Sequence, residues 1–460
     1  MLIISPLLAL PLLVQGLPQA EQEAPQPGHG NGLKIGEVTA TGAVLWTRLT
    51  QSAHALDRDL PWDPERPHWR VPGSPGEVRF VYWSEESERG ETPWTEVDGS
   101  GDFSHQVAIG GLEPGTAYRV EAQGRVGADA ASPSVFAGSF RTAPREDAAD
   151  PVTLVISTCQ EFRRRDDAEN GHQIYRSMLA LEPSFFVQAG DTLYYDRPKP
   201  FAKDVATARY KWNRFYALPY LRSFHSQVPS YWMHDDHDLL KDDCWPGQTY
   251  GDLTFERGLD LWREQIPQSA RPYRTYRWGK HLQIWLPEGR EYRSPNPTPD
   301  GPSKSILGEE QWQWLEASMR ASNATYKLYV SATPVVGPDR KNKNDNHAND
   351  GFGQEGARLR AFLSSIPGAT VINGDRHWQY HSIDPDTGLH EFGCGPASDS
   401  HAGGFRMDQR KEWQPFLRIA GGFVSVRVNG ERAVLRHHDV SGAIVYSSPL
   451  VGTKEPPSRR

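Results

Sequence analysis

The sequence predicts an α/β chain in two parts, a β-sandwich followed by a larger α/β domain. Three observations carry this. From about Leu33 to Arg141, short alternating runs of apolar and polar residues are separated by turn signals, the pattern of half-buried strands. After a polar stretch, Ala143 to Asp150, apolar strand-like runs alternate with helix-length segments, the rhythm of α/β organisation. Several of those apolar runs stop at a small residue and are followed at once by Asp, His or Cys. A chain of 460 residues has room for two or three such units with buried cores.

Residues 1–20 read as a secretory signal peptide. Leu2 to Gly16 is apolar but shorter than the ~20 residues of a membrane span. No Lys or Arg precedes Lys34, so the usual positive start is missing. Residues 21–32, polar and rich in Pro and Gly, read as a linker. These features point to a secreted or periplasmic protein with no stable membrane anchor. A formal charge of −8 leaves no basic footprint for nucleic acid. The three cysteines, Cys159, Cys244 and Cys394, are an odd number for an exported chain; a Cys244–Cys394 bridge would leave Cys159 free.

Residues 33–145 form the expected sandwich. Its strands include Ala43 to Thr47, Val78 to Trp83, Gln106 to Ile109 and Gly138 to Thr142. The segment Leu112-Glu113-Pro114-Gly115-Thr116-Ala117-Tyr118-Arg119-Val120 places a Pro-Gly turn before a strand that carries a tyrosine. It resembles the corner of fibronectin type III and related sandwiches. Gln51 to Pro75 is polar and proline-rich and reads as an insertion.

Residues 151–450 form the expected α/β domain. Strands are predicted at 152–156, 185–187, 230–232, 282–285, 327–330 and 370–372, and helices at 173–181, 205–221, 255–265, 309–321 and 354–363. Near the end, Phe423 to Val428 and Ala433 to Arg436 flank Asn429-Gly430, a hairpin signal.

Four strand ends carry chemistry. Val155-Ile156-Ser157-Thr158 runs into Cys159, whose thiolate is a strong metal ligand, although a buried cysteine is more often a small hydrophobe. Phe185-Phe186-Val187-Gln188-Ala189-Gly190 delivers Asp191 and, three residues on, Tyr194; a carboxylate and a phenolate make a hard anionic site. Tyr231-Trp232-Met233 opens a stretch, His234 to Asp243, in which eight of ten side chains ionise and cannot be buried without partners. Val371-Ile372-Asn373-Gly374 delivers Asp375 and His377, two apart and so on one side of an extended segment, with Arg376 displaced from them. Ligand-type residues at the carboxyl ends of several strands are where α/β sheets bind ligands. Two cations bridged by a carboxylate can hold both oxygens of an in-line displacement at phosphorus. Several aspartates suit calcium, magnesium or manganese, and cysteine, tyrosine and histidine suit iron.

These residues resemble the alkaline phosphatase D (PhoD-like) group of metallophosphoesterases. The matching pieces are Ser157-Thr158-Cys159, Gly190-Asp191-Thr192-Leu193-Tyr194, Asp235-Asp236-His237-Asp238 and Gly374-Asp375-Arg376-His377. Gln311 to Leu315, Lys327 to Pro334 and Phe392 to Pro396 are also similar. The resemblance implies an αββα metallophosphoesterase sandwich preceded by a fibronectin-III/Ig-like β-sandwich. It implies secreted hydrolysis of phosphate monoesters and diesters (small-molecule, lipid or nucleotide) by an Fe3+ and Ca2+ centre, with other divalent metals as alternatives.

By position, the resemblance places Cys159, Tyr194 and His377 on iron, Asp191 as the bridge and Asp375 on calcium. Where the family has a further asparagine ligand, this chain has Asp242 or Asp243, unless Asp236 serves instead. That extra negative charge departs from the family pattern and favours a divalent ion. The expected mechanism is in-line attack by a metal-activated hydroxide. His237 is the candidate for phosphate contact or leaving-group protonation, and Arg376 for neutralising a phosphate oxygen. Two rivals stand beside this reading. One is a non-catalytic exported binding protein with a degenerate second domain, although no motif has lost its ligand-type residue. The other is a metal-independent hydrolase using Ser398, Asp399, Ser400 and His401, although no Gly-x-Ser-x-Gly elbow occurs.

Overall fold

The structure is a computed structural model that describes residues 26–55, 71–130 and 132–453. The expected signal peptide, the first part of the expected linker and the middle of the Gln51–Pro75 insertion lie outside the described residues.

Two large sheets face each other. In the nine-stranded sheet the order is Ile444–Pro449, Arg432–His438, Phe423–Asn429, Val152–Ser157, Phe185–Ala189, Ser230–Met233, Leu33–Gly36, Gly42–Arg48 and Ser104–Gly110. In the seven-stranded sheet it is Arg274–Trp278, Leu282–Leu286, Tyr326–Ser331, Ala369–Asn373, His390–Cys394, Gln379–Ile383 and Phe416–Arg418. The centre of each sheet is parallel, so its strands bring their carboxyl ends to one edge. All six strands expected in this domain are present.

Strand alternation builds the layers. Leu154, Ile156, Phe185 and Val187 share one core with Ile284, Leu286, Leu328, Val330 and Ile372 of the facing sheet. Their neighbours Val155, Phe186 and Trp232 point the other way, beneath helices Ile174–Leu179, Val205–Tyr216, Pro219–His225 and Phe255–Gln265. Trp285, Tyr329 and Val371 likewise lie beneath helices Glu309–Ala321 and Gly353–Ser365. The result is αββα. The single helix expected over 205–221 is two helices, because Leu218 precedes Pro219 and takes extended backbone (φ −66°, ψ 131°).

The N-terminal sandwich is not a separate barrel of strands. Gly90–Glu91, Gly76–Trp83, Ala117–Arg125, Ser134–Arg141 and Thr95–Val97 form a five-stranded sheet of their own. Leu33–Gly36, Gly42–Arg48 and Ser104–Gly110 instead extend the nine-stranded sheet, with Gly36 paired in parallel to Ser230. One hydrophobic core therefore runs through both parts. Tyr118 makes the expected corner: its hydroxyl accepts the Glu113 N–H at 3.0 Å.

Residues 26–32, the described end of the expected linker, are packed. Gly28 and Thr50 exchange backbone hydrogen bonds of 2.6 and 2.9 Å, and Asn31 Nδ2 donates to the Asn213 carbonyl. A Pro- and Gly-rich composition marks any chain without regular secondary structure, buried or not. The Cys244–Cys394 bridge does not form. Cys394 lies between the two sheets and Cys244 in the outer helical layer, and all three cysteines are free and buried. Among the described residues no helix is long and apolar enough to cross a membrane.

Candidate metal centre

The ends of Val152–Ser157, Phe185–Ala189 and Ala369–Asn373 meet where the two sheets approach. Each continues into a non-glycine residue in the left-handed region: Cys159 and Asp191 at φ 53°, Asp375 at φ 57°. Such backbone costs of order 1–3 kcal/mol and is retained where a side chain must be aimed. The glycines before two of them are required by proximity. A Cβ on Gly374 would stand 2.0 Å from the Ala189 carbonyl oxygen, and one on Gly190 would stand 2.8 Å from Asp235 Cβ. Thr158 joins the three ends, donating to the Gly190 carbonyl at 3.1 Å and accepting from Asp375 N at 3.3 Å.

Asp191 is the hub. Its Oδ2 accepts from Tyr194 Oη at 2.8 Å and from Cys159 Sγ at 3.4 Å. Donor atoms of Cys159, Asp191 and His377 lie within 4.8 Å of one another, and so do those of Asp191, Asp236 and His237. Asp191 belongs to both groups, so the expected iron set and a second carboxylate–imidazole set share one carboxylate. Asp191 Oδ1 is buried with no hydrogen-bond partner. Burial, helped by Asp236 and Asp235 and opposed by His237, pushes the Asp191 carboxyl up to about 7. Burial and then Asp191 push the Cys159 thiol up, and burial followed by His401, Arg340 and Arg376 pushes His377 down. Two buried acids pushed toward their protonated forms and a histidine pushed toward its neutral form, around a carboxylate oxygen without a partner, make a donor set that a bound cation would satisfy.

His237 sits over this cluster, its ring 4.3 Å from that of Tyr194. Its Nδ1 is 2.8 Å from Asp196 Oδ1, and its Nε2 is 3.2 Å from Arg197 Nη2. Burial alone would lower its pKa, but Asp236, Asp191 and Asp196 raise it to about 10. Asp236 itself is held down by His237, Arg290 and Lys343 against its burial.

The remaining expected residues fall differently. Asp242 has an exposed side chain, groups with Asp236 and Asp243, and takes Lys343 Nζ at 3.2 Å. Asp375 is paired with Arg376 and falls in none of the donor groups found among the described residues. Arg376, expected at a phosphate oxygen, is wholly buried and bridges Asp375 and Asp339, the latter at 2.9 Å. Ser398 Oγ contacts Ser400 Oγ at 3.2 Å, while the His401 ring lies tilted against that of His377 (4.1 Å, 46°) and has Nδ1 3.1 Å from the Cys159 carbonyl. The suspected Ser-His pair is therefore part of the cluster's wall.

Four residues escaped the sequence reading. Arg290, 1% exposed, follows the Leu282–Leu286 strand and bonds Asp235 Oδ1 through Nε at 2.5 Å. This is a fifth strand end, and the break at Pro287 was its signal. Lys211 reaches up from helix Val205–Tyr216 and donates to the carbonyls of Tyr194, Tyr195, Arg197 and Pro198 at 2.6–3.2 Å. It props the loop that carries Tyr194. Asp196 and Arg197 lay inside or beside the motif but had no local mark of their contact with His237.

A four-layer αββα architecture with thiol, phenol, imidazole and carboxylate donors at its strand ends defines a metal-dependent phosphoesterase. The comparisons agree. The profile of the PhoD-like phosphatase family matches residues 154–421, and that of the PhoD-like phosphatase N-terminal domain matches 16–144. The chain belongs to the PhoD-like phosphatase family. The solved structure of PhoD is similar over 92% of this chain and 89% of its own (TM-score 0.69, 17% identity). The purple acid phosphatase PPD1 from yellow lupin (Lupinus luteus) seeds is similar over 92% and 75% (TM-score 0.64, 12% identity). At these identities the likeness is one of fold. No curated protein matches the sequence.

Proposed function

We propose that this chain hydrolyses phosphate monoesters and diesters outside the cytoplasm at an iron–calcium centre. Cys159, Tyr194 and His377 would hold the iron, Asp191 would serve both ions, and Asp236 with Asp375 or Asp242 would hold the calcium. The observation that carries this reading is the double membership of Asp191, whose Oδ1 is buried without a hydrogen-bond partner. The donors fit: a thiol, an imidazole and a phenol on one side, and on the other carboxylates, with the His237 imidazole beside them. When bound, the metals supply Lewis-acid activation of water and positive charge for the phosphoryl oxygens.

The chain's own residues do the rest. Asp196 fixes His237 through Nδ1; Nε2, which faces Arg197 Nη2 at 3.2 Å, would carry a proton to the leaving oxygen once Arg197 turns to the phosphate. Arg197, whose side chain is 40% exposed and lies beside that Nε2, takes the phosphate-binding role first expected of Arg376. Arg376 and Thr158 hold the strand ends in place.

The test is elemental analysis of the protein as isolated, followed by phosphoester assays before and after chelation. Iron and calcium together, with activity lost on chelation and restored by both metals, support the proposal. Full activity after exhaustive chelation, or none toward any ester with metal loaded, overturns it. Ser398→Ala retains activity on this reading and loses it on the metal-independent one.

A further inference from the structure

A second group of donors stands apart from the Asp191 centre and shares no residue with it. His234 follows the Ser230–Met233 strand, and Glu288 and Glu291 follow Leu282–Leu286 on the facing sheet. His234 Nε2 is 3.6 Å from Glu288 Oε1 and 3.4 Å from Glu291 Oε1. The side chains of His234 and Glu288 are 4% and 3% exposed, that of Glu291 14%.

A charge-assisted N–H···O bond in a buried ion pair closes to about 2.7–2.9 Å. Both contacts are longer than that. They match instead the edge of a tetrahedron whose corners lie ~2.0–2.2 Å from its centre, about 3.4 Å, the arrangement of nitrogen and carboxylate ligands around zinc. The other carboxylate oxygens are tied back: Glu288 Oε2 accepts from Glu291 N at 2.7 Å, and Glu291 Oε2 takes Arg263 Nη2 at 3.2 Å. Glu288 Oε1 also accepts from Arg290 N, at 2.5 Å, which fixes its direction. The two glutamates are thus pre-set by their own surroundings, while His234 packs edge-on against Trp262 at 5.3 Å and its Nδ1 has no hydrogen-bond partner.

We propose that His234, Glu288 and Glu291 form an additional site for a divalent transition metal, zinc by its nitrogen and oxygen donors, with the fourth position open to water. The ion braces the two sheets beside Asp235 and Arg290. The site does not depend on the phosphoesterase reading.

The test compares wild type with Glu291→Gln. Both are stripped of metal, reloaded with zinc alone, and analysed for zinc per chain and for thermal unfolding; zinc-edge anomalous diffraction of the wild type locates the ions. Wild type is expected to take up one more zinc than the variant, to show an anomalous peak against His234 Nε2, and to gain thermal stability that the variant does not. Hydrolysis after loading of the Asp191 centre is expected to be unchanged in the variant, so loss of that centre would register separately. Equal zinc in the two proteins, or no peak at His234, overturns the proposal. If the variant fails to fold, the wild-type anomalous map decides alone.

Discussion

Tyr194 donates its phenol to Asp191 Oδ2 at 2.8 Å across a loop whose first residue, Asp191, is in left-handed backbone. The contact holds the two oxygen donors side by side before any ion arrives. Tyr194→Phe keeps the ring that packs on His237 and removes the oxygen. Iron affinity is expected to fall at least about tenfold, the lower end of what a lost supporting ligand costs. Metal titration by competition with a chelator checks this, with circular dichroism to establish that the fold is kept.

In the proposed mechanism His237 gives a proton to the leaving group, so its value depends on how much that group needs one. His237→Gln is expected to slow hydrolysis of an alkyl phosphate by about 10²–10⁴-fold. With p-nitrophenyl phosphate, whose leaving oxygen departs as an anion, the loss should be much smaller. Equal losses on both esters would show that His237 acts only through phosphate binding.

Arg290 faces Asp235, Asp345 and Asp236 from within a nearly closed site. Arg290→Met leaves buried carboxylates without their cation, a change that costs about 3–5 kcal/mol. Urea unfolding of the two proteins measures it. Because Asp235 and Asp236 are neighbours, the variant should also bind less calcium at the Asp191 centre.

Glu355 gives a pH dependence outside the centre. Its carboxylate, 5% exposed, accepts from the Ile306 N–H at 2.5 Å and the Trp312 indole at 2.8 Å and faces His347 Nε2 at 3.0 Å. Burial would raise its pKa, but His347, Ser305 and Ile306 hold it down to about 2 from 4.5. A depressed carboxyl pKa stabilises the fold above pH 4.5, and that stability is lost as pH falls toward 2. The difference is worth about 3 kcal/mol. Glu355→Gln should lose that amount at pH 7 and show a flatter stability profile between pH 5 and pH 2, read from thermal unfolding across that range.

The N-terminal strands illustrate where local reading stops. Gly42–Arg48 and Ser104–Gly110 have the alternation of sandwich strands, and as strands they were legible. Which sheet they join was not, because alternation sets which side chains face a core and leaves open whose core it is. The helix break at Leu218-Pro219 was legible in principle, since a proline constrains the residue before it.

Sequence alone determined the strand ends. Each ligand candidate at Cys159, Asp191, Tyr194, Asp236 and His377 follows an apolar run that could only be a buried strand, and parallel strands bring such ends to one edge. Those periodicities gave an α/β domain, and its αββα layering was implied by the resemblance to the PhoD-like family. Tertiary structure decided which charges meet across that edge. Arg376 was drawn into Asp339, Asp196 was set against His237, Lys211 came up beneath the Tyr194 loop, and Arg290 crossed from the facing sheet to Asp235. These contacts join residues far apart in the chain or on different elements. Their partners are selected by the cost of leaving a charge buried alone, a cost that exists only once the two sheets have closed.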